Sequence, residues 1–369
     1  MSTSENSRFL SDQLITCIGN KRALLGFLTP FVEGVKKRLG KEKLNIGDFF
    51  SGSGIVSRYF KSHAARLVSN DLEPYAEILS RCFLTNADGL DWQELEHWLG
   101  QLEVQIENDR EGGFISSMYA PQDDGKILSG ERVFYTRRNA LYLDAACRAI
   151  SSLPERLKPL FLGPLLSAAS VHANTSGVFK GFYKNEKGIG CFGGRKGDAL
   201  KRICGDICLS LPVLSDFSCS SKIYRMDANQ LAGQEASKLE DLDLIYLDPP
   251  YNQHPYGSNY FMLNLLADYR APAVVSRVSG IPVSWNRSNY NTKSKARESL
   301  FSLISSCRAS HVLISYNSEG FISRDDFENV LSGLGKVTVQ EISYNTFRGS
   351  RNLKNRGIHV KEYLYLLEK

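Results

Sequence analysis

No stretch of this 369-residue chain approaches the roughly 20 uninterrupted apolar residues that a membrane-spanning helix needs, so no membrane partner is expected. The first fifteen residues are polar and mixed in charge, without an apolar signal core. Secretion is therefore not expected, and a cytoplasmic location is. Eight cysteines are scattered along the chain. None forms a CxxC pair, and Cys204 and Cys208 have no His beside them. That pattern fits a disulfide framework poorly; it predicts reduced, mostly structural thiols. Internal repeats and low-complexity tracts are absent. Strong charge of one sign is lacking too, the net charge being only +5.

What charge there is lies unevenly. Lys180 to Arg202 holds seven Lys/Arg against two acids, and Tyr344 to Lys361 holds five with no acid. Such clusters suit a polyanion, although a solvated surface has the same composition. Lys180, Lys184, Arg195 and Lys196, interleaved with Phe182 and Tyr183, are candidate polyanion contacts, as are Arg348 and Arg351.

Length and an apolar share of 42% allow one large core and a second, smaller body. The hydrophobic pattern predicts helix 21–39, strand 44–50, helix 55–63, strand 66–71 and helix 74–86. A helix-rich stretch follows over 92–172, then Gly- and aromatic-rich loop and hairpin over 173–220. Alternation resumes with strand 222–226, helix 229–238, strand 243–248, helix 258–269 and helix 293–307. Strand 310–316, helix 323–333 and strands 336–344 and 360–368 complete it. Strand–helix alternation on both sides of an insertion predicts a doubly wound α/β sheet. Residues 1–85 and 221–369 form its expected catalytic domain, and 86–220 an inserted domain.

Two elements carry chemistry. The run Leu44–Phe50 leads into Ser51-Gly52-Ser53-Gly54 and then a helical pattern. Glycines there let the backbone turn sharply beside a ligand, at the carboxyl end of a strand where open α/β sheets bind ligands. An ordinary tight connection has the same composition, and this is not GxGxxG. The next strand ends in Asp71, which either accepts the hydroxyls of a ribose or caps the helix after it.

The second element is Asp248-Pro249-Pro250-Tyr251, behind the apolar run 243–247. With proline near 5% of residues, such a tetrapeptide arises by chance on the order of once per thousand chains of this size. An aromatic amine is a poor nucleophile, because its lone pair is delocalised into the ring. Two acceptors, the Asp248 carboxylate and the Pro249 carbonyl, can turn that lone pair toward an electrophile. The prolines hold the carbonyls rigidly splayed. Tyr251 offers a face on which a base stacks. A base inside a duplex reaches such a pocket only when flipped out.

These residues resemble the Dam-like, alpha-class N6-adenine DNA methyltransferases. Asp248–Tyr251 resembles the family's catalytic motif, and Phe49-Phe50-Ser51-Gly52-Ser53-Gly54 its cofactor motif, Phe-x-Gly-x-Gly. Ile18-Gly19-Asn20-Lys21-Arg22 is similar to the element that closes over the cofactor's methionine part. Asp71, followed by Leu72, matches the ribose-binding acid, and Asp227, followed by Ala228, the acid that receives the cofactor's adenine amine. Looser similarity covers Phe134–Ala140, Asn174–Gly181, Tyr251–Tyr260, Ile314–Asn317 and Tyr344–Arg356. The chain departs from the pattern at Arg137-Arg138, where an acid is more usual.

The resemblance implies a Rossmann-like class I methyltransferase fold: a mixed seven-stranded sheet with the last strand reversed, and an inserted, helix-rich target-recognition domain. It implies S-adenosyl-L-methionine as donor, no metal, and double-stranded DNA as substrate. A restriction-modification role is implied, with a restriction endonuclease acting separately. Three other readings compete: an RNA adenine enzyme, a DNA cytosine-amine enzyme, and a DNA-binding module without catalysis. Asp248 speaks against the first two, which more often carry Asn and Ser there. The intact tetrapeptide speaks against the third.

Overall fold

Seven apolar runs become the strands of one sheet in the computed structural model, which describes residues 4–109, 111–194, 197–239, 241–345 and 359–369. The strands are β1 (Leu44–Asp48), β2 (Ala64–Asp71), β3 (Ser220–Arg225), β4 (Leu244–Leu247), β5 (His311–Asn317), β6 (Lys336–Asn345) and β7 (His359–Glu368). Their order is β3-β2-β1-β4-β5-β7-β6. The first five pair in parallel, and β7 runs antiparallel to both β5 and β6. This is the mixed seven-stranded sheet, last strand reversed, that the resemblance implies. Every residue of β4 and β5 is buried, as expected of central parallel strands covered on both faces.

The principal helices are α1 (Leu25–Leu39), α2 (Ile55–Phe60), α3 (Pro74–Phe83), α4 (Trp92–Asn108), α5 (Arg137–Ser151), α6 (Lys158–Val171), α7 (Phe261–Asp268), α8 (Lys293–Ser306) and α9 (Arg324–Ser332). Side-chain caps begin several: the Asp91, Thr136 and Ser323 oxygens accept the N–H of Glu94, Asn139 and Asp326. Three expected helices are divided, that over 229–238 into the helix Ala228–Gly233 and a 3-10 turn at Ala236–Leu239. Residues 21–24 form a tighter 3-10 turn, because the Asn20 side chain accepts the Arg22 N–H at 2.9 Å. The helix expected over 258–269 breaks at Tyr260, whose hydroxyl is engaged by Ile18.

No strand of the sheet lies between Asp71 and Ser220 among the described residues. The chain leaves the sheet after β2, builds α4, α5 and α6, and returns as β3. These helices share one continuous apolar cluster with α3 and α7: Tyr75, Leu79 and Phe83 meet Leu143, Phe161, Leu165, Phe261 and Leu266. Burying each such side chain contributes about 1.5–3 kcal/mol. The inserted segment is thereby seated on the helices that flank the sheet's carboxyl edge.

Candidate active site

The parallel strands β3, β2, β1 and β4 lie side by side, so their carboxyl ends gather Asp227, Asp71, the glycine turn and Asp248 along one edge. Beyond Asp48 the chain turns through Gly52 (φ +52°) and Gly54 (φ +77°), left-handed conformations that glycine adopts without a Cβ penalty. The Gly52 N–H donates to Asp71 Oδ2 at 2.7 Å, and the Glu73 N–H to Asp71 Oδ1 at 2.9 Å. Asp71 therefore joins two strand ends; the N-cap of α3 is Glu73. Burial raises the Asp71 carboxyl, while these backbone donors oppose the rise.

The edge opens into a cleft of about 880 Å³, lined by Cys17–Lys21, Phe49–Ser53, Asn70–Glu73, Met226–Ala228, Asp248 and Pro250. Asp227 Oδ1 caps the short helix Ala228–Gly233, accepting the N–H of Asn229 and Gln230. Asp71, Glu73, Asp227 and Asp248 set four carboxylates on the lining against one ammonium, that of Lys21.

Lys21 is buried, and its Nζ lies 2.9 Å from Asp248 Oδ1 and 3.1 Å from Glu362 Oε1. Glu362 sits fully buried on β7 opposite Asn317, and accepts from Ser315 Oγ and Asn317 Nδ2. Burial pushes the Lys21 ammonium down, but Asp248 and Glu362 more than reverse this and hold it well above the usual lysine range. Burial raises the Asp248 carboxyl to about 6, with Lys21 opposing and Glu362 adding to the rise. The backbone before Lys21 is pinned from the segment after β4: the Ile18 N–H donates to Tyr260 Oη at 2.7 Å, and Tyr256 Oη donates to the Ile18 carbonyl at 3.1 Å.

A smaller pocket of about 250 Å³ lies next door, lined by Ile18, Pro250, Tyr251, Asn252, His254, Tyr256 and Asn259. Ile18, Pro250 and Tyr256 line both spaces, so the two meet at the corner after β4. The Tyr251 ring stands edge-on to Tyr316, 6.4 Å between centroids. The Phe321 N–H donates to the Tyr251 carbonyl at 3.0 Å.

Residues 18–187 and 217–330 match the family model of the D12 class N6 adenine-specific DNA methyltransferases. The chain belongs to that family. It is 28% identical over 361 residues to the Type II methyltransferase M.NlaIII of Neisseria lactamica, covering 95% of this chain and 98% of that one. The Modification methylase StsI of Streptococcus sanguinis is 27% identical over 369 residues, 95% of this chain and 51% of that protein. The Type II methyltransferase M.CviAII of Paramecium bursaria Chlorella virus 1 is 26% identical over 358 residues, 95% of this chain and 97% of its own length. The protein is thus a site-specific DNA adenine methyltransferase that takes a methyl group from a donor. The RNA, cytosine and non-catalytic readings are not favoured.

Most of the expected site residues of this methyltransferase come together in the first cleft. Gly54 lies just outside its lining, at the start of α2. Tyr251 lines only the second pocket, and Pro249 lines neither. Of the expected DNA contacts, Lys184 Nζ lies 5.1 Å from the Phe182 ring centre. Lys180 is close enough to His254, on the second pocket, to depress its imidazole, behind the larger effect of burial. Arg195, Lys196, Arg348 and Arg351 lie outside the described residues.

Sequence reasoning missed Glu73, Asn286, Ser288, Tyr290 and Asn291 on the cleft wall. Glu73 is buried against the amides of Asn264 and Asn286, and burial first, then Asp71, push it up to about 7. Asn291 donates to the Asn252 carbonyl at 2.7 Å, and Tyr290 meets Phe50 edge-on. The signal for these residues was faint: a loop of Asn, Ser and Trp over 284–291 without helical or strand period.

Proposed function

We propose that the larger cleft binds S-adenosylmethionine and that the smaller pocket receives an adenine flipped from double-stranded DNA. One observation carries the reading: Asp248 lines the larger cleft with the glycine turn, and Pro250, two residues on, lines both spaces where they meet. The lining fits the donor. Four carboxylates suit its positive charge, and the space above Gly52 is open, a Cβ there meeting only the Phe50 carbonyl oxygen at 4.0 Å. Asp71 and the Ile18–Lys21 segment would hold the ribose and the methionine part. Asp227, Phe49, Phe50, Ser51–Gly54, Leu72 and Ala228 would hold the rest.

When bound, the donor supplies a methyl group on a positively charged sulfur. The protein's part is orientation. Asp248 accepts one N–H of the adenine amine and the Pro249 carbonyl the other, while Tyr251 stacks on the ring. Lys21 fixes the Asp248 carboxylate and keeps it ionised at neutral pH against burial. The ionised carboxylate then stabilises the positive charge that develops on N6, and the proton leaves afterwards. Residues 86–220 act as the target-recognition domain, with Lys180 and Lys184, and beyond the described residues Arg195, Lys196, Arg348 and Arg351, on phosphates. The biological setting is a restriction-modification system in the cytoplasm, with a separate endonuclease.

A tritiated-methyl assay on plasmid DNA, followed by nucleoside analysis, tests this. Label is expected in N6-methyladenine. Active protein that puts the label in N4-methylcytosine, or that shows no affinity for S-adenosylmethionine, would overturn the reading.

A further inference from the structure

Between α7 and α8 the chain builds an arm that no part of the reaction described above uses. Residues Val274–Val283 form a hairpin: Val275 bridges Pro282, and the Val283 N–H donates to the Val274 carbonyl at 3.0 Å. Its turn carries Arg277 and Val278 at the tip, closed by the Gly280 N–H on the Ser276 carbonyl at 3.1 Å. Val274, Val278 and Val283 are 64%, 61% and 57% exposed, and no large apolar side chain elsewhere among the described residues exceeds 57%.

A loop that leaves three valines in water would ordinarily be free to move, yet this one is nailed down. Tyr119 Oη donates to the Gly280 carbonyl at 2.7 Å. Arg132 spends its guanidinium on the carbonyls of Met118, Ser276 and Arg277. Gly280 has φ +69°, and a Cβ there would fall 2.6 Å from the Tyr119 ring, so the turn fits only as glycine. Holding a small apolar tip rigidly in solvent lowers the ordering cost of docking it against a partner.

The charge says which partner. From Tyr269 to Arg297 there are six Lys/Arg and no acid. Arg297 pairs with Asp326, and the other five make no ion pair among the described residues. Arg287 lies over the Trp285 ring at 4.3 Å. Between Trp285 and Arg287, Asn286 reaches the cleft rim, donating to the Leu72 carbonyl and Glu73. The base of the arm is therefore part of the cleft wall, and its tip is fastened to the inserted segment.

We propose that residues 270–287 are a DNA-docking arm. Arg270, Arg277 and Arg287 hold phosphates of the duplex beside the flipped adenine, and Val278 presses on base edges in the groove at the arm's tip. Apolar tips of this kind support the distortion that base extrusion requires, and phosphate contacts set position without reading sequence. The arm rests on the reading of the cleft as a DNA adenine site.

The test compares the full chain with the triple variant Arg270→Ala/Arg277→Ala/Arg287→Ala in plasmid methylation. The KM for DNA should rise roughly tenfold or more at physiological salt, and the slope of log affinity against log salt should fall by about 2 to 3. The KM for S-adenosylmethionine and kcat at saturating DNA should stay within about twofold, consistent with phosphate contacts that position and do no chemistry. Arg277→Ala alone should show about a third of the change in salt slope, since each phosphate contact contributes separately. The triple Lys variant should recover most of the affinity, and Val278→Ser should raise the KM for DNA without moving the salt slope. Unchanged DNA KM and salt slope in both alanine variants would overturn the arm, as would a loss that the Lys variant fails to restore. A wild-type chain that methylates no DNA would instead remove the proposed function, so the two failures are distinguishable.

Discussion

Asp144 in the inserted segment and Asp48 at the end of β1 are both fully buried, yet the two regions treat their carboxylates differently. Asp144 accepts the N–H groups of Gly113, Ile115 and Ser116 and the hydroxyl of Tyr269, so both oxygens are covered. It starts the short helix Phe114–Met118 and ties it to α5 and to the end of α7. Asp48 has Ser57 Oγ at 2.6 Å on one oxygen and no partner among the described residues on the other. Burial, with Asp248 and Asp71 adding, pushes it up to about 7 against the Ser57 hydrogen bond. Glu73 and Asp248 are raised in the same way. In the insert a buried charge is a structural fastening. Around the cleft, acids are gathered faster than donors are supplied, and the surplus suits a positively charged ligand.

Four experiments break or sharpen that contrast. Removing the acid proposed to hold the amine should cost most: Asp248→Ala is expected to lower turnover on the order of 10³-fold. S-adenosylmethionine and DNA binding, followed by titration, should be retained. A variant that methylates at the wild-type rate would remove Asp248 from its role. Asp144→Ala leaves the N–H groups of Ile115 and Ser116 without an acceptor, strips one of two from Gly113, and should cost about 3 kcal/mol in urea unfolding. A change under 0.5 kcal/mol would mean that the insert's carboxylate is no fastening.

Between these two behaviours stands Lys21, paired on both sides. Lys21→Met leaves the half-buried Asp248 carboxylate facing the buried Glu362 and should cost about 3 kcal/mol, reduced when Glu362→Gln is added. The pH profile separates its two partners. If Asp248 holds the amine as proposed it must be ionised, so kcat/KM should fall tenfold per unit below about pH 6. In Lys21→Met the counter-charge is gone, and that acid limb should move upward. An unmoved limb would mean that Lys21 is structural only.

The smallest effect should be a gain. The Asp48 carboxyl, folded, titrates near 7, above its ordinary value of 3.8. Between those values the folded state holds a proton that the unfolded state has released. Stability therefore declines as pH rises from about 4 through 7, and the whole penalty is present above 7. Asp48→Asn removes the penalty while keeping a partner for Ser57. It should be about 2 kcal/mol more stable at pH 8 and little changed at pH 4. Equal gains at both pH values would contradict a titrating Asp48.

Much of this was legible before folding. All seven strands fall within two residues of where the apolar period placed them, because β1, β4 and β5 are buried strands whose composition leaves little choice. The glycine turn and Asp248–Tyr251 were legible because both are local: their chemistry is written in consecutive residues at a strand's end. Helix ends were less so, since the breaks at residues 21–24 and at Tyr260 depend on bonds to Asn20 and Ile18, not on period. The arm at 270–287 escaped notice because its three arginines and three exposed valines lack period, and their meaning depends on Tyr119 and Arg132 holding them out.

The sequence alone determined the alternating α/β sheet, the glycine turn and the proline-rigid corner, since each follows from neighbours along the chain. Only the tertiary structure decided that Lys21, Asp248 and Glu362 share one buried contact, that Glu73 joins the cleft wall, and that Tyr256 and Tyr260 pin Ile18. Those pairings bring together groups from opposite ends of the chain. Their energies arise from burial and from distances near 3 Å, quantities that exist only once the sheet has closed.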